Sequence, residues 1–309
     1  MNTYLKYQPP AIQFLAFLAF AGGCFLLASI VSYFFFQDVY AILLDKNVVV
    51  TPSLITKFKL AQLVSAGLSF LIPALLFGYY SSPKSLPYIG VQPYISPLLL
   101  VAAVALLLSI QPFISYLGYF NAHLNFGKWQ QFIDQTEARY DRALKVFLQM
   151  PTFGDFITNV LIMALLPAVS EELFFRGAFQ KALLRLSNKP WLAILLSATV
   201  FAFLHGTMLK LIPIFALGLL LGTIYHVTRN VWYTIIIHFI NNAFALIAVY
   251  YGNRSEFLRK MTDENTPIPI YFALLSLAAG VCLLYFIRKK SLLILPVVIT
   301  NEDNDYLAL

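Results

Sequence analysis

The chain has 309 residues, 60% of them hydrophobic and only 11% charged, with a formal net charge of +7 from 21 Lys+Arg and 14 Asp+Glu. Soluble domains carry roughly 25% charged residues, so the composition excludes a disordered tail protein, a soluble globular enzyme and a secreted disulfide scaffold. It points to an all-α polytopic membrane protein whose basic excess faces anionic lipid rather than nucleic acid.

The N-terminus lacks a short apolar core ending in a small-residue cleavage site, so the first apolar run reads as a retained span and not a cleaved signal peptide. A spanning helix needs about 20 mostly apolar residues. The candidates, in chain order, are Ala11–Phe36, Leu60–Tyr80, Ser96–Phe120, Phe153–Ser170, Trp191–Gly206, Leu209–Thr228, Val231–Tyr251 and Pro269–Ile287. The expectation is a bundle of about eight transmembrane helices. The fifth and sixth are short and nearly contiguous. Between the third and fourth lies Gln130–Met150, which carries Asp134, Glu137, Arg139, Asp141, Arg142 and Lys145. Its apolar residues Trp129, Phe132, Ile133, Tyr140, Leu144, Phe147 and Leu148 recur at helical spacing, which predicts an amphipathic helix at the interface. As a solvated connector it needs no further role; the alternative is a gate over an active site. Thr152 with Asp155 three residues on resembles a capping box.

Gly218-Leu-Leu-Leu-Gly222 is a small-xxx-small pattern suited to close helix packing. Cys24 and Cys282 sit in apolar runs and make neither a disulfide framework nor a zinc cluster, so both are expected to pack. The aromatic residues are expected mostly at lipid-facing and interfacial positions. Alternating the spans divides the 21 Lys+Arg almost evenly between the two sides, so the positive-inside rule gives no orientation. The run Arg288-Lys289-Lys290 weakly favours a cytoplasmic C-terminus, and Asn301–Asp305 reads as a loose acidic tail. No internal repeat and no soluble second domain is evident.

Ionisable residues inside apolar runs carry the chemical information, because a charge at mid-bilayer costs on the order of 3 kcal/mol and needs a partner or a task. Glu171, Glu172 and Arg176 sit at the end of the fourth span, in Leu165-Leu-Pro-Ala-Val-Ser-Glu-Glu-Leu-Phe-Phe-Arg-Gly177. Glu172 and Arg176 are four apart and share a helix face, while Glu171 lies about 100° round the helix. His205 ends the fifth span in Phe201-Ala-Phe-Leu-His-Gly206. His238 and Asn242, again four apart, lie within the seventh. A carboxylate, two imidazoles and a carboxamide converging on one point suffice to activate a water and stabilise an oxyanion. Each feature alone also has a plain reading: an interfacial ion pair, a helix-end histidine, and a His–Asn pair gluing two helices. Pro167, four residues before Glu171, either kinks the helix or is a tolerated membrane proline.

Glu-Glu-x-x-x-Arg, Phe-x-x-x-His and His-x-x-x-Asn, in that order on successive apolar helices, resemble the CAAX-processing and bacteriocin-processing intramembrane endopeptidases, the CPBP or Abi family. The resemblance spans roughly Phe153–Tyr251. It implies that Glu171 activates the attacking water, His205 helps hold it, His238 and Asn242 form the oxyanion hole, and Glu172 with Arg176 forms a structural pair. Family members that act on prenylated CaaX proteins cut after the modified cysteine; others are linked to bacteriocin self-immunity. The implied division is 1–150 as N-terminal helices and connector, 151–252 as protease core, and 253–309 as last helix and polar tail. The implied partners are membrane lipids and a peptide or lipidated protein substrate, with no nucleic acid, in a bacterial cytoplasmic membrane. No cofactor is expected, since a glutamate-activated water needs no metal. Were a metal used, Glu171, His205 and His238 would supply a zinc site, but there is no His-Glu-x-x-His and carboxylates placed to orient a ligating histidine look scarce. A proton-coupled transporter and a non-catalytic immunity or scaffold protein are the competing readings.

Overall fold

A computed structural model of the chain describes residues 4–39, 48–252 and 267–294; the acidic segment 301–305 lies outside them. Among the described residues the long elements are all helical. They are α1 (Pro10–Phe35), α2 (Pro52–Ser81), α3 (Pro97–Ala122), α4 (Gln130–Phe147), α5 (Phe153–Ser187), α6 (Pro190–Leu204), α7 (Leu211–Thr228), α8 (Val231–Gly252) and α9 (Ile270–Ile294). Seven of these are long and apolar enough to cross a membrane, and α6 is apolar but shorter. The protein is therefore an all-α multi-pass membrane bundle, with the eight apolar runs appearing as seven full-length helices and one short one.

The helix ends follow from local chemistry. Proline opens α1, α2, α3 and α6, where its missing N–H costs nothing because the first helical donors have no partner. At α5, Thr152 and Asp155 form a reciprocal capping box, as the spacing predicts. Between α6 and α7, Gly206 takes a left-handed φ of +71°, which stops α6 immediately after His205.

The sequence places Glu171, Glu172 and Arg176 at the end of a span; in the structure they lie in the middle of one. Helix α5 runs on to Ser187, and at 1.5 Å per residue its 35 residues reach about 52 Å, well beyond a hydrocarbon core of about 30 Å. The polar residues do not end the helix because each buried one finds a partner. Likewise, Arg288–Lys290 lie within α9 and not after it.

Among the described residues exposed aromatic side chains outnumber buried ones, as expected, yet the centre of the bundle is also packed with aromatic rings. Phe17 of α1 lies 5.4 Å from Phe77 of α2 and 5.1 Å from Phe174 of α5. Phe175 meets Phe201 of α6 edge-on at 5.1 Å. Phe17, Phe77, Phe175 and Phe201 are all fully buried. In a bilayer, such close packing rather than water exclusion holds helices together, and edge-to-face pairs add about 0.5–1.5 kcal/mol each. Cys282, by contrast, is exposed on α9, so packing within the protein does not explain it.

The segment before α3 is stitched to the second half of the chain. Gly90 O accepts from Val231 N at 2.8 Å, Tyr94 O from Asn230 Nδ2 at 2.9 Å, and Tyr233 Oη from Ser96 N at 2.8 Å. Lys181 Nζ donates to Tyr88 O at 2.6 Å and sits 3.8 Å from the Tyr88 ring centroid. At Gly177 a Cβ would fall 2.4 Å from Ile89 O, so only glycine lets this segment lie against α5.

Candidate active site

Helix α5 is not regular, and its irregularities surround the site. It widens to i→i+5 hydrogen bonding over Val160–Leu165 and again over Leu173–Gln180. Pro167 has no N–H for the carbonyl of Met163 and crowds it, which accounts for the first wide turn. The same arrangement occurs in α2, where Gly67–Leu71 widens just before Pro73. In the second wide turn every residue from Leu173 to Gln180 is buried. There Ser197 Oγ donates to the Phe175 carbonyl at 3.3 Å. Such turns favour functional positions because they re-aim side chains within a continuous helix.

Glu172 is fully buried and its Oε1 accepts two bonds. Arg176 Nη1 donates to it at 2.9 Å, and His238 Nδ1 lies 3.0 Å away. The first contact is the pair read from the spacing; the second, across to α8, is not visible in sequence. Arg176 is also buried. Its Nη2 donates to Gly218 O at 3.2 Å, and its guanidinium lies 4.6 Å from the Phe201 ring centroid. Gln180, one turn on, donates through Nε2 to Gly222 O at 3.0 Å. The two glycines of the small-xxx-small pattern thus do more than allow close approach: they bare carbonyl oxygens that hold Arg176 and Gln180.

Because the Glu172 carboxylate accepts from His238 Nδ1, that nitrogen carries the proton. His238 Nε2 is then turned toward Glu171, whose Oε2 lies 4.0 Å away. Glu171 Oε2 has no hydrogen-bond partner, although 16% of the side chain is exposed. The doubled glutamate is therefore divided: Glu172 is engaged by Arg176 and His238 through Oε1, its Oε2 being buried without a hydrogen-bond partner, whereas Glu171 presents its own unpartnered Oε2 to the His238 imidazole.

His205 lies at the C-terminal end of α6, where its Nδ1 donates to Phe201 O at 2.7 Å. A carbonyl only accepts, so His205 Nε2 is the free acceptor in the neutral ring. The Phe201 ring is edge-on to both imidazoles, 4.6 Å from His205 and 5.9 Å from His238. Direct contacts thus join Glu171, Glu172, Arg176 and His238, and Phe201 links His205 to them. Asn242 is placed differently. Its Oδ1 accepts from Asn241 Nδ2 at 3.4 Å, and Asn241 Oδ1 in turn accepts from Gln111 Nε2 of α3 at 3.2 Å.

Residues 153–244 match the family model described as type II CAAX prenyl endopeptidase Rce1-like. The protein carries a CAAX-protease-family segment. That family indicates a protease. The matched stretch runs from the first turn of α5 into α8 and contains Glu171, Glu172, Arg176, His205, His238 and Asn242. No curated protein and no solved structure matches the chain.

Within the CAAX-protease segment, no three His, Cys, Asp or Glu side chains among the described residues converge closely enough to hold a metal ion. Glu171 faces His238 Nε2, and the other nearby carboxylate, Glu172, is engaged by Arg176 and by the other ring nitrogen, Nδ1. The expected scarcity of carboxylates placed behind a histidine is corrected, because Glu172 occupies that position behind His238. Sequence reasoning missed Gln180, although it lies four residues beyond Arg176 on the same face. It also counted Glu137 only among the charges of the amphipathic helix, with no role of its own. In the structure Glu137 is buried, on the inward stripe Ile133, Glu137, Tyr140 and Leu144.

Proposed function

We propose that this protein is an intramembrane endopeptidase that cleaves a membrane-associated, CaaX-type or similarly lipidated peptide by direct attack of a glutamate-activated water. The observation that carries this reading is the unpartnered Glu171 Oε2 held 4.0 Å from His238 Nε2, beside a Glu172 already engaged by Arg176 and His238. In this scheme Glu171 takes a proton from water as the water oxygen bonds to the scissile carbonyl carbon. The negative charge moves to the carbonyl oxygen, where the Asn242 carboxamide stabilises it, while His238 Nε2, with the ring proton held on Nδ1, faces Glu171 as an acceptor. His205, its Nδ1 fixed on Phe201 O, offers Nε2 to the same water. Collapse of the tetrahedral species breaks the C–N bond, and the proton held by Glu171 passes to the leaving amine, which restores the carboxylate. Glu172 accepts from His238 Nδ1 and so keeps the ring in that tautomer. The chain's own groups supply each of these steps, and none is routed through a metal.

Cleavage of fluorogenic peptides by purified protein in detergent tests the reading. The panel contains prenylated CaaX peptides and the same sequences unmodified, each assayed with and without chelator. The expected result is chelator-resistant cleavage of the prenylated set. Loss of cleavage with chelator and its return with zinc would overturn the metal-free mechanism, and preference for unmodified peptides would overturn the substrate class.

A further inference from the structure

Outside the matched segment, one buried carboxylate has no part in the scheme above. Glu137, on the amphipathic helix α4, is only 7% exposed. Its two oxygens accept from Thr207 Oγ1 at 2.9 and 3.1 Å, and Oε1 also accepts from Met208 N at 2.6 Å and Leu209 N at 3.2 Å. These groups lie two, three and four residues beyond His205. A second side chain grips the same stretch: Asn121 of α3 donates through Nδ2 to Met208 O at 2.9 Å, and its Oδ1 accepts from Ile212 N at 2.7 Å. Buried irregular backbone must have its polar groups satisfied, and here two side chains satisfy several of them.

We propose that Glu137 is a positioning residue for His205. Helix α6 ends at Leu204 with His205 as its C-terminal cap, so the imidazole sits at the helix end and not within it. The backbone beyond it is anchored through Thr207, Met208 and Leu209, and all three hang on one carboxylate. The acceptor is charged and buried, which makes its bonds to the two amides strong and directional. Trp129, just before α4, and Phe132 on it are exposed, as suits a helix lying on lipid. The brace thus joins the interfacial helix to the histidine across the loop. The consequence for catalysis rests on the proposed protease site; the consequence for the His205 ring does not.

The test uses full-length protein with isotope-labelled histidine. The chain has four histidines, at 123, 205, 226 and 238, so ring resonances can be assigned by substitution. Glu137→Ala is expected to shift the His205 ring signals and leave those of His226 in place. It lowers kcat by about 10²-fold, the loss an ångström-scale misplacement brings, with KM changed by no more than about twofold. Glu137→Gln keeps an oxygen facing the two amides and is expected to retain activity within about threefold. Thr207→Val, which removes one donor and no charge, serves if the alanine variant does not fold, and is expected to shift His205 and lower kcat by about tenfold. Unmoved His205 signals in a folded Glu137→Ala or Thr207→Val protein would overturn the proposal, as would wild-type kcat beside a Glu171→Gln control that has lost cleavage. Full activity of that Glu171→Gln control would instead overturn the protease site, and the His205 resonances would still decide the role of Glu137.

Discussion

At the scale of single residues, the two adjacent glutamates have opposite assignments, and the physical reason is partner count. Glu172 is buried with a guanidinium and an imidazole on one oxygen; removing its charge strands Arg176 in the membrane interior. Breaking a buried pair by deleting one partner costs about 3–5 kcal/mol. Glu172→Gln is therefore expected to lower the thermal midpoint in detergent markedly, whereas Glu171→Gln, which breaks no hydrogen bond at Oε2, leaves it unchanged. Equal midpoints for the two variants would contradict this division. The i,i+4 spacing of Glu172 and Arg176 was legible in the sequence. The Glu172–His238 bond was not, because it joins helices 66 residues apart and no local pattern encodes that.

At the scale of elements, the irregular helices are the informative ones. Pro167 and Pro73 each explain a wide turn by the donor they lack and the carbonyl they crowd, and the sequence alone allowed a kink at Pro167 without deciding it. The wide turn over Leu173–Gln180 contains no proline. It lies where Gly177 meets the backbone of Ile89. A methyl group there meets a backbone oxygen, which moves only with its whole segment, so Gly177→Ala is expected to cost about 1–3 kcal/mol of stability. A methyl group at Gly23 on α1 would meet no heavy atom within 4 Å, and Gly23→Ala is expected to be neutral or mildly stabilising through helix propensity. Thermal unfolding of the two variants side by side checks the contrast; an undisturbed Gly177→Ala protein would refute the close approach. Helix α4 was legible as amphipathic from its period, yet its charges misled. Glu137 reads as solvated by type, and only its place on the inward stripe with Ile133, Tyr140 and Leu144 marks it as buried.

At the scale of the whole molecule, the site draws on more chain than its motifs suggest. Composition alone led to an all-α membrane bundle, and the apolar runs located the eight apolar helices, because hydrocarbon thickness sets one length for all of them. Of the residues the three motifs named, the structure places Arg176, His205 and His238 around Phe201 and Glu171 and Glu172 against His238, while Asn242 contacts Asn241. What sequence did not reveal is the support from residues 1–150: Tyr88, Gly90 and Tyr94 bind residues of α5 and the start of α8, and Asn121 and Glu137 hold the loop after His205. Those contacts depend on tertiary approach and leave no periodic trace. The central claim, that Glu171 performs chemistry and not binding or folding, is tested most directly by comparing binding and hydrolysis of one prenylated CaaX peptide by wild type and Glu171→Gln. The account predicts equal affinity and an equal thermal midpoint, with hydrolysis slowed by about 10²–10⁴-fold, the usual contribution of a general base. Hydrolysis by Glu171→Gln at the wild-type rate would contradict it.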